Sequence, residues 1–457
     1  MFTATIRRDG SSNFGRDNRW GTFPSFSAAW NLGREKFIRD LGVFDMLKLR
    51  AGWGTTGNSN VSATASVPQL SSGATFDYFD ENGDYNRLVG IMQTNEIDTG
   101  LHWETSVQTN IGLDIAALRN SNTFSVDYYI RDTRDLILSK TIRPSAGFTS
   151  ITTNFGSIRN SGFEFALGYK KQVGRDWFFM ANATASTNKN KAVEIGAGTT
   201  SSGATGSGWE NRQVCYNDLP LGTYQGFRVD HIIQEQSEID ALNAKAVELH
   251  GQGSYYDKAE TGPGDFLFKD LNGDGHITNE DKEYLGDGFP KLNYGLNLSV
   301  SFRNWDASMY MYGALGQTLL SWSKCYLTSI RNENNGYFNF LEEAVKDSWT
   351  ESNRDAKYPR VSRTDVGSNT RVSDFYVEKA DYLKVSNFQI GYNFDSKILG
   401  NVLRSARISL SIQNLLTLSP YNKFGDPEVS AGVTTTGYDG GRYPFPRTYM
   451  LGIQLGM

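Results

Sequence analysis

Apolar and polar residues alternate along most of this chain with a period of two. Between 103 and 116, Trp103, Thr105, Val107, Thr109, Ile111, Leu113 and Ile115 oppose Glu104, Ser106, Gln108, Asn110, Gly112 and Asp114. Phe163, Phe165, Leu167 and Tyr169 oppose Glu164, Gly168 and Lys170, and Tyr294, Leu296, Leu298, Val300 and Phe302 oppose Gly295, Asn297, Ser299 and Ser301. The same pattern returns at Ala406, Ile408, Leu410 and Ile412, and at Tyr449, Leu451, Ile453 and Leu455. Strict alternation places one face of a strand in an apolar medium and the other in a polar one. It predicts about twelve strands, at 2–9, 23–32, 46–56, 103–116, 121–133, 159–171, 176–187, 291–303, 304–316, 381–394, 404–416 and 445–456.

The connections between them alternate in length. Short ones fall at 33–45, 117–120, 172–175, 303–305 and 395–403, and long ones at 57–102, 134–158, 188–290, 317–380 and 417–444. The connection 10–22 is intermediate and lies on the long side. Short turns at one end and long loops at the other are the layout of an all-β, antiparallel transmembrane β-barrel, with periplasmic turns and extracellular loops. Tyr169, Trp177, Phe302, Trp305, Tyr392 and Phe394 gather beside the short turns, where an aromatic girdle sits. A soluble sandwich or propeller also alternates. Its strands are shorter, however, and its loops rarely reach such lengths.

Composition fits this picture once the barrel is in mind. Apolar residues make up only 39%, below the usual 45–50%. Half of each barrel strand faces a polar lumen, so low hydrophobicity is expected there. No window has the roughly 20 apolar residues of a spanning helix. The 13% of aromatics argues against disorder. With 45 basic and 50 acidic residues there is no basic surplus, so no nucleic-acid partner is expected. Cys215 and Cys325 could pair, but spacing leaves this open. Residues Met1 to Arg8 show no signal pattern and enter a strand at once, which leads us to expect a preceding part.

The sharpest local motif runs from Asp270 to Asp281. Asp270, Asn272, Asp274 and Gly275 match positions 1, 3, 5 and 6 of an EF-hand loop, and His276 would offer its backbone carbonyl. Asp281 stands at the twelfth position in place of Glu. We expect structural calcium here, stiffening the long loop 188–290. The bland alternative is a carboxylate-rich turn closed by its own hydrogen bonds. Helices are expected at Ser237–Leu249, capped by Ser237, and at Asn339–Trp349. Enzymatic signals are poor: His102, His231, His250 and His276 belong to no H-E-x-x-H, and there is no G-x-S-x-G elbow. We expect no enzyme. The enzyme rival is a calcium-dependent outer-membrane lipase built on His102. A non-transport rival is a β-rich glycan-binding protein or adhesin.

Several stretches resemble the C-terminal barrel portion of SusC-like (SusC/RagA family) TonB-dependent transporters. They are Arg7 to Gly15 with Asn18 to Ser25, Leu47 to Asn58, Asn160-Ser161-Gly162-Phe163-Glu164, Gly264-Asp265 through Asp274-Gly275, Asp381 to Asn387, Gln413-Asn414-Leu415 and Pro444 to Tyr449. They run from end to end of the chain in the family's order.

This resemblance implies a 22-stranded barrel in the bacterial outer membrane, surrounded by outer-membrane lipid. Its N-terminal plug is pulled by the TonB complex, and it works under a SusD-like lipoprotein lid. It also implies active import of an oligosaccharide or peptide. About twelve C-terminal strands would be present here. On this resemblance the plug, TonB box, signal and first strands are expected to lie outside this chain, and Met457 stands where such barrels usually end in an aromatic residue. An open sheet in lipid leaves unpaired edges, so we expect a piece of a longer barrel, with closure at twelve strands as the alternative. Loop aromatics offer flat faces to such a substrate: Trp209, Tyr216, Tyr224, Trp322, Tyr326, Tyr337, Tyr421 and Tyr438. Each is equally suited to packing a loop.

Overall fold

The computed structural model describes residues 1–195, 200–201, 213–329, 339–362, 368–395, 403–429 and 432–456. Twelve long antiparallel strands form the main sheet: β1 Phe2–Gly10, β2 Trp20–Asn31, β3 Phe44–Asn58, β4 Glu104–Ala117, β5 Asn122–Arg134, β6 Ser157–Val173, β7 Trp177–Ser186, β8 Leu292–Phe302, β9 Trp305–Leu315, β10 Tyr382–Asn393, β11 Ser405–Leu418 and β12 Thr448–Gly456. Strand order follows chain order throughout. Every expected strand is present, with ends displaced by at most three residues. No helix among the described residues is long and apolar enough to cross a membrane.

The chain divides into two compact units. The first holds Met1–Ala166 with Lys189–Thr199, and the second Leu167–Asn188 with Thr200–Met457. In the first unit the register sets two distinct faces. Thr5 opposes Ser25, Ser25 opposes Gly54, Gly54 opposes Gln108, and Gln108 opposes Arg131. One residue along, Ala4 opposes Phe26, Phe26 opposes Trp53, and Trp53 opposes Thr109. Phe26 and Trp53 stack at 5.8 Å, and Tyr128 meets Phe163 at 4.9 Å. The turn between β4 and β5 is tight. Leu118, Arg119 and Asn120 all take positive φ, and the Asn120 N–H donates to Asp45.

In the second unit one apolar row crosses four strands beside the short turns: Trp177 opposes Phe302, Phe302 opposes Trp305, and Trp305 opposes Tyr392. The Trp177 and Phe302 rings lie 4.3 Å apart and those of Trp305 and Tyr392 4.8 Å apart. Four of the six expected girdle residues therefore form a single register row, while Tyr169 lies on the strand before it and Phe394 just past the end of β10. Large side chains remain uncovered on this face, with Leu451 73% and Ile453 64% exposed. An apolar belt of that kind needs lipid, not water, as its solvent.

The second unit's long loops carry their own cores. One core gathers Phe227, Ile232, Ile233, Ile239, Phe266 and Phe268. Another gathers Tyr224, Leu320, Cys325, Val372 and Tyr376, with Trp322 and Tyr438 against it. A third holds Leu319, Ala380, Tyr421 and Phe424. Cys215 and Cys325 are buried thiols, not joined as a disulfide.

The expected helices need correction. The first spans Gln236–His250, and its cap is Glu235, not Ser237: Glu235 and Glu238 form a reciprocal capping box. The second shrinks to Glu342–Lys346, because the Trp349 N–H turns aside to the Tyr358 carbonyl. A helix missed by the pattern occupies Trp322–Thr328, capped by the Ser321 hydroxyl.

Candidate functional site

The polar face of the long strands is the surface where chemistry can occur. In the first unit Arg50 forks onto two carboxylates, Asp114 at 2.8 Å and Asp127 at 2.9 Å. The Ser125 hydroxyl donates to Asp114. Arg50 stands beside Gly112, where a Cβ would lie 2.1 Å from Asp127. Glycine is therefore needed for the ion cluster to lie flat on the sheet. The Phe23 ring covers Gly57 in the same way, with a Cβ there 2.0 Å from the ring. Gly57, with Gly52 and Gly54, lines a trough of about 480 Å³ shared with Thr3, Thr5, Arg7, Ser25, Ser27, Gln108 and Asn110.

The second unit's polar face is built of rows. Asn182, Asn297, Tyr310, Asn387, Gln413 and Thr448 follow one another across six strands, one register position each. Amide and hydroxyl groups donate and accept without net charge, which suits neutral polar cargo. Two of the cations here are paired. Arg407 forks onto Asp306. Lys384, almost wholly buried, meets Glu428 at 2.8 Å and Asp426 at 3.4 Å. The Tyr312 hydroxyl donates to the same Glu428, and the Phe445 ring lies 4.4 Å from the Lys384 ammonium. These contacts pin the last long loop to the polar wall.

The loop aromatics divide into two classes. Tyr216 and Tyr326 are exposed and available to a ligand. Tyr224 and Tyr421 are buried, which corrects the expectation that they meet substrate. The Tyr224 hydroxyl donates to the carbonyls of Thr318 and Gly437. The Tyr421 hydroxyl bonds Asp439 and Ser321. Burial and the neighbouring Asp439 carboxylate push the Tyr421 phenol well up. Trp322 and Tyr438, partly buried, pack against the core that holds Tyr224. Trp209 and Tyr337 lie outside the described residues.

Sequence reasoning missed the buried cation Lys324, which meets Glu378 at 2.7 Å and lies 3.7 Å from the Phe375 ring. Burial lowers its pKa. It also missed Tyr376, whose hydroxyl donates to the Asn369 carbonyl. Neither has a periodic neighbourhood that could have announced it.

The acidic loop closes largely on itself. Asp270 accepts from the N–H groups of Gly273 and Gly275 at 2.7 and 2.8 Å, and Gly275 takes φ +84. The His276 N–H and the Asn272 amide hold the Asp274 carboxyl below the usual range. Asp281 is buried and accepts from Leu271 and Thr278 N–H, completing a capping box with Thr278. Asn272 Nδ2 sits between Asp274 at 2.9 Å and Glu280 at 3.2 Å. The oxygen donors suit a hard cation in kind. Among the described residues, however, no three His, Cys, Asp or Glu side chains converge to hold one. The His276 ring turns away, with Nδ1 facing the Tyr255 carbonyl.

His102 is a strand-end anchor. Its Nδ1 faces the Gly100 carbonyl, its backbone N–H donates to Asn154, and Nε2 lies 3.9 Å from Asp135. None of these partners is the hydroxyl that a lipase nucleophile would supply.

Comparison with known proteins follows the geometry. The family model described as TonB dependent receptor-like, beta-barrel, matches residues 1–415. All of the chain aligns with TonB-dependent receptor P3 of Formosa agariphila at 29% identity, covering 44% of that protein. It aligns with TonB-dependent receptor SusC of Bacteroides thetaiotaomicron at 28%, covering 42%. The structure of the RagAB peptide transporter superposes on 99% of the chain and 45% of its own, with a TM-score of 0.77 and 21% identity. That likeness is one of fold. The chain spans less than half the length of the curated relatives it matches.

Proposed function

The chain belongs to the TonB-dependent receptor β-barrel family, and from that premise we propose that it forms barrel wall and outer loops of an active nutrient importer. Members of the family are outer-membrane β-barrel proteins, not enzymes. The cargo of this proposal is an oligosaccharide or peptide, captured with a SusD-like lipoprotein. The driving force comes from the TonB complex acting on a plug supplied by the rest of the protein. SusC among the relatives and the RagAB peptide transporter among the folds support this reading.

One observation carries it. The strands that match the family present a charge-paired, amide- and hydroxyl-rich face opposite an apolar belt. A lumen that passes neutral polar cargo needs donors and acceptors without a net field. The test is uptake by cells that carry or lack the gene, using labelled malto-oligosaccharides and a labelled peptide digest as probes. Import of one probe that stops when the proton gradient is collapsed supports the proposal. Equal uptake of both probes with and without the gene overturns it.

Calcium in the loop Asp270–Asp281 is part of the same proposal. Asp270, Asn272, Asp274 and Asp281, with the His276 backbone carbonyl, would hold the ion through hard oxygen donors once the loop's internal hydrogen bonds give way. Protease resistance of this loop then falls on chelation and returns with calcium. Resistance unchanged by chelator, in the native protein and in Asp270→Ala alike, shows a turn held by its own hydrogen bonds alone.

A further inference from the structure

The apolar face of the second unit is not smooth. Ala181 opposes Leu298, Leu298 opposes Met309 and Met309 opposes Phe388 in one row, and Val300 opposes Ala307 in the next. The two alanines leave a depression among large neighbours. The result is a groove of about 670 Å³, walled by Phe179, Leu298, Met309 and Phe388. Its lining is overwhelmingly carbon.

Tyr169 and Lys171 line the same groove on β6. Odd positions of this strand, Phe163, Phe165, Leu167 and Tyr169, form the apolar face. Lys171 therefore projects on the lipid side, while Lys170 has the opposite parity. An ammonium held against acyl chains is costly, and a lysine relieves that cost by extending its apolar stem until the charge meets headgroups. Lys171 is placed to do so. The short turn Gly174–Asp176 follows within three residues, and the girdle row that starts at Trp177 lies at that end of the strands. A carbon-lined groove that ends in a cation at the interface is complementary to one molecule class.

We propose that this groove holds one acyl chain of a phospholipid from the leaflet on the short-turn side, with its phosphate on Lys171. The inference rests on the reading of these strands as membrane barrel and adds a specific lipid site to it. The Lys171 ammonium supplies the charge-assisted contact that fixes the headgroup. The alanines supply the space that fixes the chain.

The experiment uses the whole protein extracted from the outer membrane in mild detergent, with bound lipid read by native mass spectrometry. The unmodified protein retains one phospholipid. Ala307→Trp fills the groove and Lys171→Glu reverses the charge, and each lowers occupancy about tenfold. Lys170→Glu, on the other face, leaves it unchanged. Ala181→Leu serves as the filling variant if Ala307→Trp loses the heat-modifiable gel mobility of a folded barrel. Equal occupancy in all folded variants, or no retained lipid in the unmodified protein, overturns the site. A protein absent from the outer-membrane fraction overturns instead the barrel reading beneath it.

Discussion

His231 shows how a single side chain can couple a loop to pH. Its two ring nitrogens face carboxylates, Asp230 at 2.9 Å and Glu238 at 2.9 Å. Glu238 also accepts from the N–H groups of Gln234 and Glu235, so it closes the capping box of the helix Gln236–His250. The bond to Glu238, and then Asp230, raises the imidazole pKa above its ordinary 6.5. A raised folded-state pKa means that the stabilisation is full below about pH 6.5 and fades as pH rises through the higher folded value. We predict that amide exchange across the start of this helix speeds up over that rise. In His231→Gln the exchange, corrected for its intrinsic pH dependence, is flat with pH, and a variant that keeps the rise contradicts this account. Tyr421 makes the complementary point about burial. Tyr421→Phe leaves the buried Asp439 carboxylate short of one donor, at a cost of about 1–3 kcal/mol. Denaturant titration of the whole protein, read at the loop, measures it. Neither role was visible in the sequence: the partners of His231 are near in the chain but need the helix start to aim Glu238 back at it, and Ser321 reaches Tyr421 from a separate loop. Tyr421 in particular looked like a ligand face and is a core anchor.

Strands and loops differ sharply in how much they disclose beforehand. All twelve strands were legible because alternation over about ten residues reports two different solvents, and each solvent is a property of position alone. The girdle was legible for the same reason: Trp177, Phe302, Trp305 and Tyr392 sit at matching distances from short turns. The loops were legible only where a local signature exists, as at Gly275 and the Asp270 turn. The helix Trp322–Thr328 and the shortening of the second helix were hidden, because packing and a backbone bond from Trp349 decided them. The loop 419–447 depends on one such hidden contact. Lys384 is its buried cation, with Glu428 and Asp426 as counter-charges. Lys384→Met strands both carboxylates. Removing one partner of a buried pair costs about 3–5 kcal/mol, toward the lower end here because Glu428 is partly exposed. The expected outcome is a loop cut by protease at least several times faster while the strands stay intact. Unchanged cleavage would show that the loop is held elsewhere.

At the scale of the molecule, a thin apolar composition has a single structural cause. Each long strand divides its residues between a lipid face and a polar face, so half of them are polar by design of the sheet. β1 is hydrogen-bonded along one side to β2, and β12 along one side to β11. In hydrocarbon every backbone polar group needs a partner, so a membrane wall built on this sheet requires a strand against each outer edge. The curated relatives are more than twice as long as this chain. The cargo of the proposed importer has no signature in the sequence, because amide and hydroxyl rows are common to many polar surfaces. The central claim is that alternate residues of one strand meet lumen and lipid. It is tested most directly by single cysteines placed at each position from 294 to 301 of β8 in the whole protein in outer-membrane vesicles. A membrane-impermeant maleimide is predicted to label 295, 297, 299 and 301, while a lipid-soluble quencher reaches labels only at 294, 296, 298 and 300. Uniform labelling by the polar reagent along the strand would contradict the account.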